Sequence, residues 1–169
     1  MEIVTSKSAL RPHYLDASAL VKLVIDEDYS ARVQNYMFEP ERSWRVCTSF
    51  CFAEALGALK LRNKRGELSD AGYLAGSRKL IRLVRNESVK VLEGDFSSLA
   101  AFAEAERIVK DYGIDFLDAF QLLSVKDSWG HLAPPSQPLL VTADGDLSKA
   151  AEKEGVKCWY CRETHQPKC

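Results

Sequence analysis

The chain has 169 residues, 46% of them hydrophobic, which is enough for one domain with a buried core and excludes a disordered or low-complexity protein. Its 23 basic and 24 acidic residues nearly balance, so a nucleic-acid partner would have to be bound by a local basic patch. The odd number of cysteines, five, does not indicate a disulfide framework, and no apolar run is long enough for a membrane span or a signal peptide. A cytoplasmic protein is expected.

Short apolar strands alternate with helical patterns along the chain. In order, they are a strand over 13–15, helices over 17–24 and from about 30, a strand over 45–48, helices from 49 to near 66 and over 69–86, a strand over 89–92, helices over 97–112 and 116–126, a strand over 139–142, a helix ending near 154 and a strand over 156–160. This alternation predicts a three-layer α/β/α fold with a mostly parallel central sheet of about four to five strands. The domain is expected to span 12–160, between a loose arm at 1–11 and a tail at 161–169.

Polar residues ahead of the apolar runs predict where helices begin. Asp28 or Ser30 is expected to cap the second helix, and Thr48 or Ser49 the third. Two later helices are expected to carry apolar faces. These are formed by Leu74, Leu80, Ile81 and Val84 in one helix, and by the inward-facing Leu99, Phe102, Ile108 and Val109 in the other.

Acidic residues follow two strands and interrupt two apolar helical segments. Asp16 ends the first strand, and Asp144 and Asp146 follow the strand over 139–142. Because functional groups in open parallel sheets collect at the carboxyl ends of strands, these acids are expected at one edge. Glu54 and Asp118 lie among apolar neighbours, where an ionised carboxylate is costly unless it is paired or binds a cation. No Lys or Arg lies within a helical turn of Asp118, so a metal ion would remove that cost.

Four segments around these acids carry a resemblance to a known family. They are YLDASALVKL at 14–23, AEAL at 53–56, LDAFQL at 117–122 and LVTADGDL at 140–147. In their order and spacing they resemble the PIN-domain nucleases, and most closely the VapC-type toxins, over roughly residues 12–160. The resemblance implies a metal-dependent endoribonuclease that hydrolyses RNA phosphodiester bonds, acts as the toxin of a toxin-antitoxin pair, forms a homodimer and is neutralised by a cognate antitoxin.

The resemblance also implies which residues form the site. Carried over residue by residue, the catalytic and metal-binding acids would be Asp16, Glu54, Asp118 and Asp144, with Asp146 as an auxiliary ligand and Ser18 and Thr142 as polar supports. Carboxylates without His or Cys suit Mg²⁺ or Mn²⁺, and whether one or two ions act stays open. Asp115, three positions before Asp118, is instead expected to cap its helix.

Basic residues gather on two successive helices. They are Lys60, Arg62, Lys64 and Arg65 at the end of one helix and Arg78, Arg82 and Arg85 on the next. The last three share one helical face because they are spaced at i, i+4 and i+7. We expect this hairpin to contact RNA phosphates, which position a strand without reading its sequence. The alternative is an ordinary solvated face.

Two other functions compete with a metal-dependent nuclease. A PIN scaffold that binds RNA or protein without cleaving is opposed by the presence of all four acids. A phosphotransfer enzyme with Asp16 as nucleophile is disfavoured because Ser18 stands where a second acid is needed.

A separate feature lies near the C-terminal end. Cys158, Cys161, His165 and Cys169 have the ligand types of a structural zinc site. Positions 158 and 161 of a strand point to opposite faces, which opposes a shared zinc ion unless the strand ends before Cys161.

Overall fold

The computed structural model describes residues 11–39, 44–92, 94, 96–129 and 137–163. Two expectations fall largely outside these ranges: the arm at 1–11 and the tail at 161–169. The tail includes His165 and Cys169 of the zinc hypothesis.

The described residues form a five-stranded sheet in which every neighbouring pair of strands is parallel. The strands are β1 (His13–Leu15), β2 (Arg45–Cys47), β3 (Lys90–Val91), β4 (Leu139–Thr142) and β5 (Cys158–Tyr160). Their order across the sheet is β3-β2-β1-β4-β5. The first and fourth strands are therefore central neighbours, and the acids that follow them emerge at the same edge.

Seven helices in the described ranges cover both faces of the sheet. They are α1 (Ala17–Val24), α2 (Ser30–Met37), α3 (Ser49–Lys64), α4 (Asp70–Arg85), α5 (Leu99–Tyr112), α6 (Phe116–Trp129) and α7 (Gly145–Lys153). Alternate strand residues point to opposite faces: Leu15 and Val141 pack against α1–α4, and Tyr14 and Leu140 pack against α5–α7. The predicted three-layer α/β/α fold is thereby confirmed. No helix in the described part of the chain is both long and apolar enough to cross a membrane.

Helix α2 begins differently from the prediction. Its N-cap is Tyr29, in a left-handed conformation with φ of 68°, and neither Asp28 nor Ser30 caps it. The Ser30 hydroxyl lies in the first turn and accepts a hydrogen bond from the Glu27 backbone N–H at 3.2 Å. The prediction for α3 is correct, because the Thr48 hydroxyl accepts from the Cys51 N–H at 3.2 Å.

The predicted inward face of α5 is only half right. Ile108 is fully buried, but Leu99 is 90% exposed and Phe102 is 50% exposed. A spacing of three residues drifts by about 60° per step around a helix that turns about 100° per residue. Leu99, three such steps before Ile108, therefore lies on the opposite side of the helix. Leu74 and Ile81 of α4, expected on its apolar face, are likewise about half exposed.

Candidate functional site

Asp16 is the buried centre of the acidic edge. It lies in the turn between β1 and α1, and its side chain is 4% exposed. Its Oδ2 accepts hydrogen bonds from the Ser18 N–H at 3.2 Å, the Ser18 hydroxyl at 2.6 Å and the Thr142 hydroxyl at 2.9 Å. Burial raises the pKa of Asp16, and these donors oppose the shift without cancelling it.

The same two hydroxyls join the turns that follow β1 and β4. Ser18 Oγ accepts from the Ala143 N–H at 2.8 Å, and Thr142 Oγ1 accepts from the Asp144 N–H at 2.9 Å. Each hydroxyl therefore accepts from the β4–α7 turn and donates to Asp16. The residues expected to support the site lie directly against its central acid and hold its orientation.

Glu54 and Asp118 reach this edge from α3 and α6. Glu54 is exposed and Asp118 is half-buried. Desolvation by burial, followed by the charges of Asp16, Asp115 and Asp144, raises the pKa of Glu54 to about 7 and that of Asp118 to about 8. Because the charges of Asp16 and Asp144 contribute to both shifts, the fold brings the four predicted acids within electrostatic reach of one another.

Asp115 belongs to the same cluster. Its Oδ1 accepts a hydrogen bond from the Asp118 N–H at 2.9 Å, in agreement with the predicted helix cap. Its charge also acts on both Glu54 and Asp118, more strongly than that of Asp144. The sequence signal was its spacing of three from Asp118, which places both acids on one side of the helix start.

The two acids after β4 have different surroundings. Asp144 is exposed and caps α7, with Oδ1 accepting from the Asp146 N–H at 2.8 Å and the Leu147 N–H at 3.0 Å. The Asp146 side chain is 76% exposed, and its carboxylate pairs with Lys149 Nζ at 2.9 Å. Its charge is not among the main influences on Glu54 or Asp118. The structure therefore does not join Asp146 to the acidic cluster.

The donor chemistry of the cluster suits a hard cation. In the described ranges no three carboxylate, imidazole or thiol groups converge closely enough to hold a metal as they stand. Mg²⁺ is usually bound by only one or two carboxylates together with waters and substrate phosphates, so it needs no such convergence. Within those same ranges, no salt bridge neutralises Asp16, Glu54 or Asp118.

The predicted basic surface on α3 and α4 is only partly free. Arg62 forms a salt bridge with Glu27, which also binds the buried Lys22. Lys60 donates to Asn63 Oδ1 at 2.9 Å and lies over the ring of Tyr73. The remaining residues of the surface are exposed and form no salt bridge within the described part of the chain: Lys64, Arg65, Arg78, Arg82 and Arg85.

The two described cysteines of the zinc hypothesis lie on opposite sides of the sheet. Cys158 packs against the α5–α7 core, and Cys161 belongs to the α1–α4 core. Burial raises the pKa of the Cys161 thiol to about 11. Although β5 ends at Tyr160, before Cys161, the two thiols lie in separate cores, which opposes a shared zinc ion.

Comparisons with known proteins bear on the fold. No family model matches the chain, and no curated protein matches it. Among solved structures, it is similar to the crystal structure of PAE2754 from Pyrobaculum aerophilum, with 25% sequence identity and a TM-score of 0.57. The match covers 89% of this chain and 91% of that chain, so the likeness extends over nearly the whole α/β architecture.

Proposed function

We propose that this protein is a Mg²⁺- or Mn²⁺-dependent endoribonuclease of the PIN type. The observation that supports this most is the carboxylate cluster, in which Glu54 and Asp118 have pKa values of about 7 and about 8. Gathering acids without a neutralising cation costs stability, and strongly perturbed carboxyl groups concentrate at functional sites. A scaffold that only binds RNA or protein has no use for such a cluster.

The residues of the proposed site take two roles. Asp16, Glu54, Asp118 and Asp144 would hold the cation, which when bound supplies a water of lowered pKa and offsets charge on the scissile phosphate. Ser18 and Thr142 keep Asp16 in one orientation through their bonds to Oδ2.

The biological role within the proposal depends on the resemblance alone. A VapC-type toxin would act on cellular RNA, pair with a cognate antitoxin and assemble as a homodimer.

Cleavage of a labelled randomised RNA pool in Mg²⁺, Mn²⁺ or EDTA tests the activity. We expect cleavage with either cation and none in EDTA. Asp16→Asn and Asp118→Asn should each lower the rate by about 10²–10⁴-fold, because each removes a charge from the site. The matched control is Glu106→Gln, which neutralises an exposed acid on α5 and should leave the rate unchanged.

Two results would reject the nuclease. One is cleavage that survives both aspartate substitutions, which would assign the activity elsewhere. The other is RNA binding without cleavage in either cation, which would favour the non-cleaving scaffold.

A further inference from the structure

A buried glutamine joins the two helices that carry Glu54 and Asp118. Gln121 of α6 is 1% exposed. Its Oε1 accepts hydrogen bonds from the Thr48 hydroxyl at 3.2 Å and the Cys51 thiol at 2.9 Å. Its Nε2 has no partner among the described residues. Burying an amide with one unpaired end is costly, so core packing alone does not explain a glutamine at this position.

The position of this contact relative to the acids is specific. Gln121 lies three residues after Asp118, and Cys51 lies three residues before Glu54, which is about one helical turn in each case. Thr48 is the N-cap of α3, and its hydroxyl also accepts from the Cys51 N–H. The network therefore joins the first turn of α3 to the turn of α6 that follows Asp118.

A hydrogen-bonded contact restrains two helices in a way that apolar packing does not. Apolar side chains tolerate small rotations and slides, whereas a shared acceptor for two donors sets both distance and direction. If the Gln121 acceptor is lost, α3 and α6 can shift relative to each other, and the separation of Glu54 and Asp118 shifts with them.

We propose that Gln121 is a positioning residue that sets the separation of Glu54 and Asp118 and thereby the affinity of the acidic site for a divalent cation. The inference rests on the proposed function and adds a determinant outside the acids themselves. Residues that orient metal ligands without binding the metal themselves contribute about 10–100-fold to metal affinity. We expect the contribution of Gln121 to fall in that range.

The test is Mn²⁺ binding, measured by titration calorimetry on the folded full chain, with RNA cleavage measured in parallel. Gln121→Met retains the length of the side chain and replaces the amide oxygen with a thioether sulfur, which is only a weak acceptor. We expect Mn²⁺ to bind it about 10–100-fold more weakly than it binds the parent. Cleavage by this variant should fall at low Mn²⁺ and recover at saturating Mn²⁺, because the acids are intact. A role in stability alone would not produce that pattern.

The partner side of the contact gives an independent pair of variants. Cys51→Ser retains a donor to Gln121 and should bind Mn²⁺ like the parent, whereas Cys51→Ala removes the donor and should bind more weakly. This pair decides the question if Gln121→Met fails to fold. The matched control is Trp159→Phe, which deletes another buried N–H without a described partner, on β5, and should leave Mn²⁺ affinity unchanged.

The outcomes separate the two proposals. If the parent binds Mn²⁺ and cleaves RNA while Gln121→Met and Cys51→Ala bind Mn²⁺ within about twofold of it, only the positioning role is overturned. Loss of affinity in Trp159→Phe of the same size as in Gln121→Met would overturn it as well. A parent that neither binds Mn²⁺ nor cleaves RNA overturns the proposed function, and this inference with it.

Discussion

At Asp118, burial and the charges of nearby acids act in the same direction, since both favour the protonated carboxyl group. Its pKa is about 8 in the folded chain, against an ordinary value of about 3.9 for an unfolded aspartate. Between these values the folded state binds more protons than the unfolded state. The contribution of Asp118 to the free energy of unfolding therefore falls as pH rises from about 4 to about 8. The acidic cluster is a source of instability that a bound cation would relieve.

Substitution of Asp118 should expose this cost. In EDTA, Asp118→Asn is expected to raise the free energy of unfolding by about 1–3 kcal/mol at pH 8.5, a figure reduced from the full shift because the site is partly open to solvent. At pH 4.5 the gain should nearly vanish, since the parent carboxyl is then protonated in the fold. Urea unfolding at both pH values measures the difference.

The matched control for Asp118→Asn is Asp26→Asn, which removes the carboxylate of an exposed acid elsewhere in the chain. It should change stability equally at pH 4.5 and 8.5. A gain for Asp118→Asn that is no larger at pH 8.5 than at pH 4.5 would contradict the account of its raised pKa.

Among the elements, α4 carries the part of the basic surface that we expect to bind an RNA strand. Arg78 and Arg82 share one exposed face, and each phosphate contact contributes about 0.7 to the salt slope of single-strand binding. Reversing both to Glu should weaken RNA binding and lower that slope by about 1.4. Fluorescence anisotropy in an Asp16→Asn background, over roughly 50–200 mM salt, measures binding without cleavage.

The control for this reversal makes the same change of charge at two other exposed residues. Lys90→Glu combined with Lys110→Glu alters exposed residues of β3 and α5 and should have the smaller effect on the slope. Equal slopes for the Arg78/Arg82 variant and the parent would reject α4 as a phosphate-binding face.

The elements themselves were largely predictable, because short apolar strands and capped helices are local patterns. What escaped prediction depends on three-dimensional placement. The start of α2 at Tyr29 requires a left-handed residue that no side-chain pattern announces. The exposure of Leu99 follows from helical drift, and the outcome depends on which residue of the helix meets the core.

The site was predictable to a similar degree. The positions of Asp16 and Asp144 follow from the parallel sheet, since their strands are neighbours and both residues end at one edge. Asp146, two residues further, turns instead to Lys149. The burial of Gln121 could not be predicted from the sequence, because polar side chains such as glutamine are mostly exposed. Long-range contacts of this kind exist only once α3 and α6 have packed.

At the scale of the whole molecule, one carboxylate connects helices α5, α6 and α7, which lie on the face of the sheet opposite the α3–α4 hairpin. Glu154 caps the end of α7, and its side chain is 7% exposed. It accepts hydrogen bonds from Arg107 and Tyr112 of α5 at 2.8 and 2.6 Å and from Lys126 of α6 at 2.6 Å. Burial alone would raise its pKa, but the bonds from Lys126, Tyr112 and Arg107 outweigh burial and lower the pKa to about 2.

The sign of this shift is opposite to that at Asp118. Because the folded pKa of about 2 lies below the unfolded value of about 4.3, the stabilisation is fully present above the unfolded value and is lost as pH falls towards 2. Glu154→Gln should lower the free energy of unfolding by about 1.5–3 kcal/mol at pH 7, the range for hydrogen bonds to a charged group. The loss should shrink markedly by pH 3. Urea unfolding at both pH values, with exposed Glu106→Gln as the control, measures it, and an equal loss at both would show that Glu154 acts through shape and not through its charge.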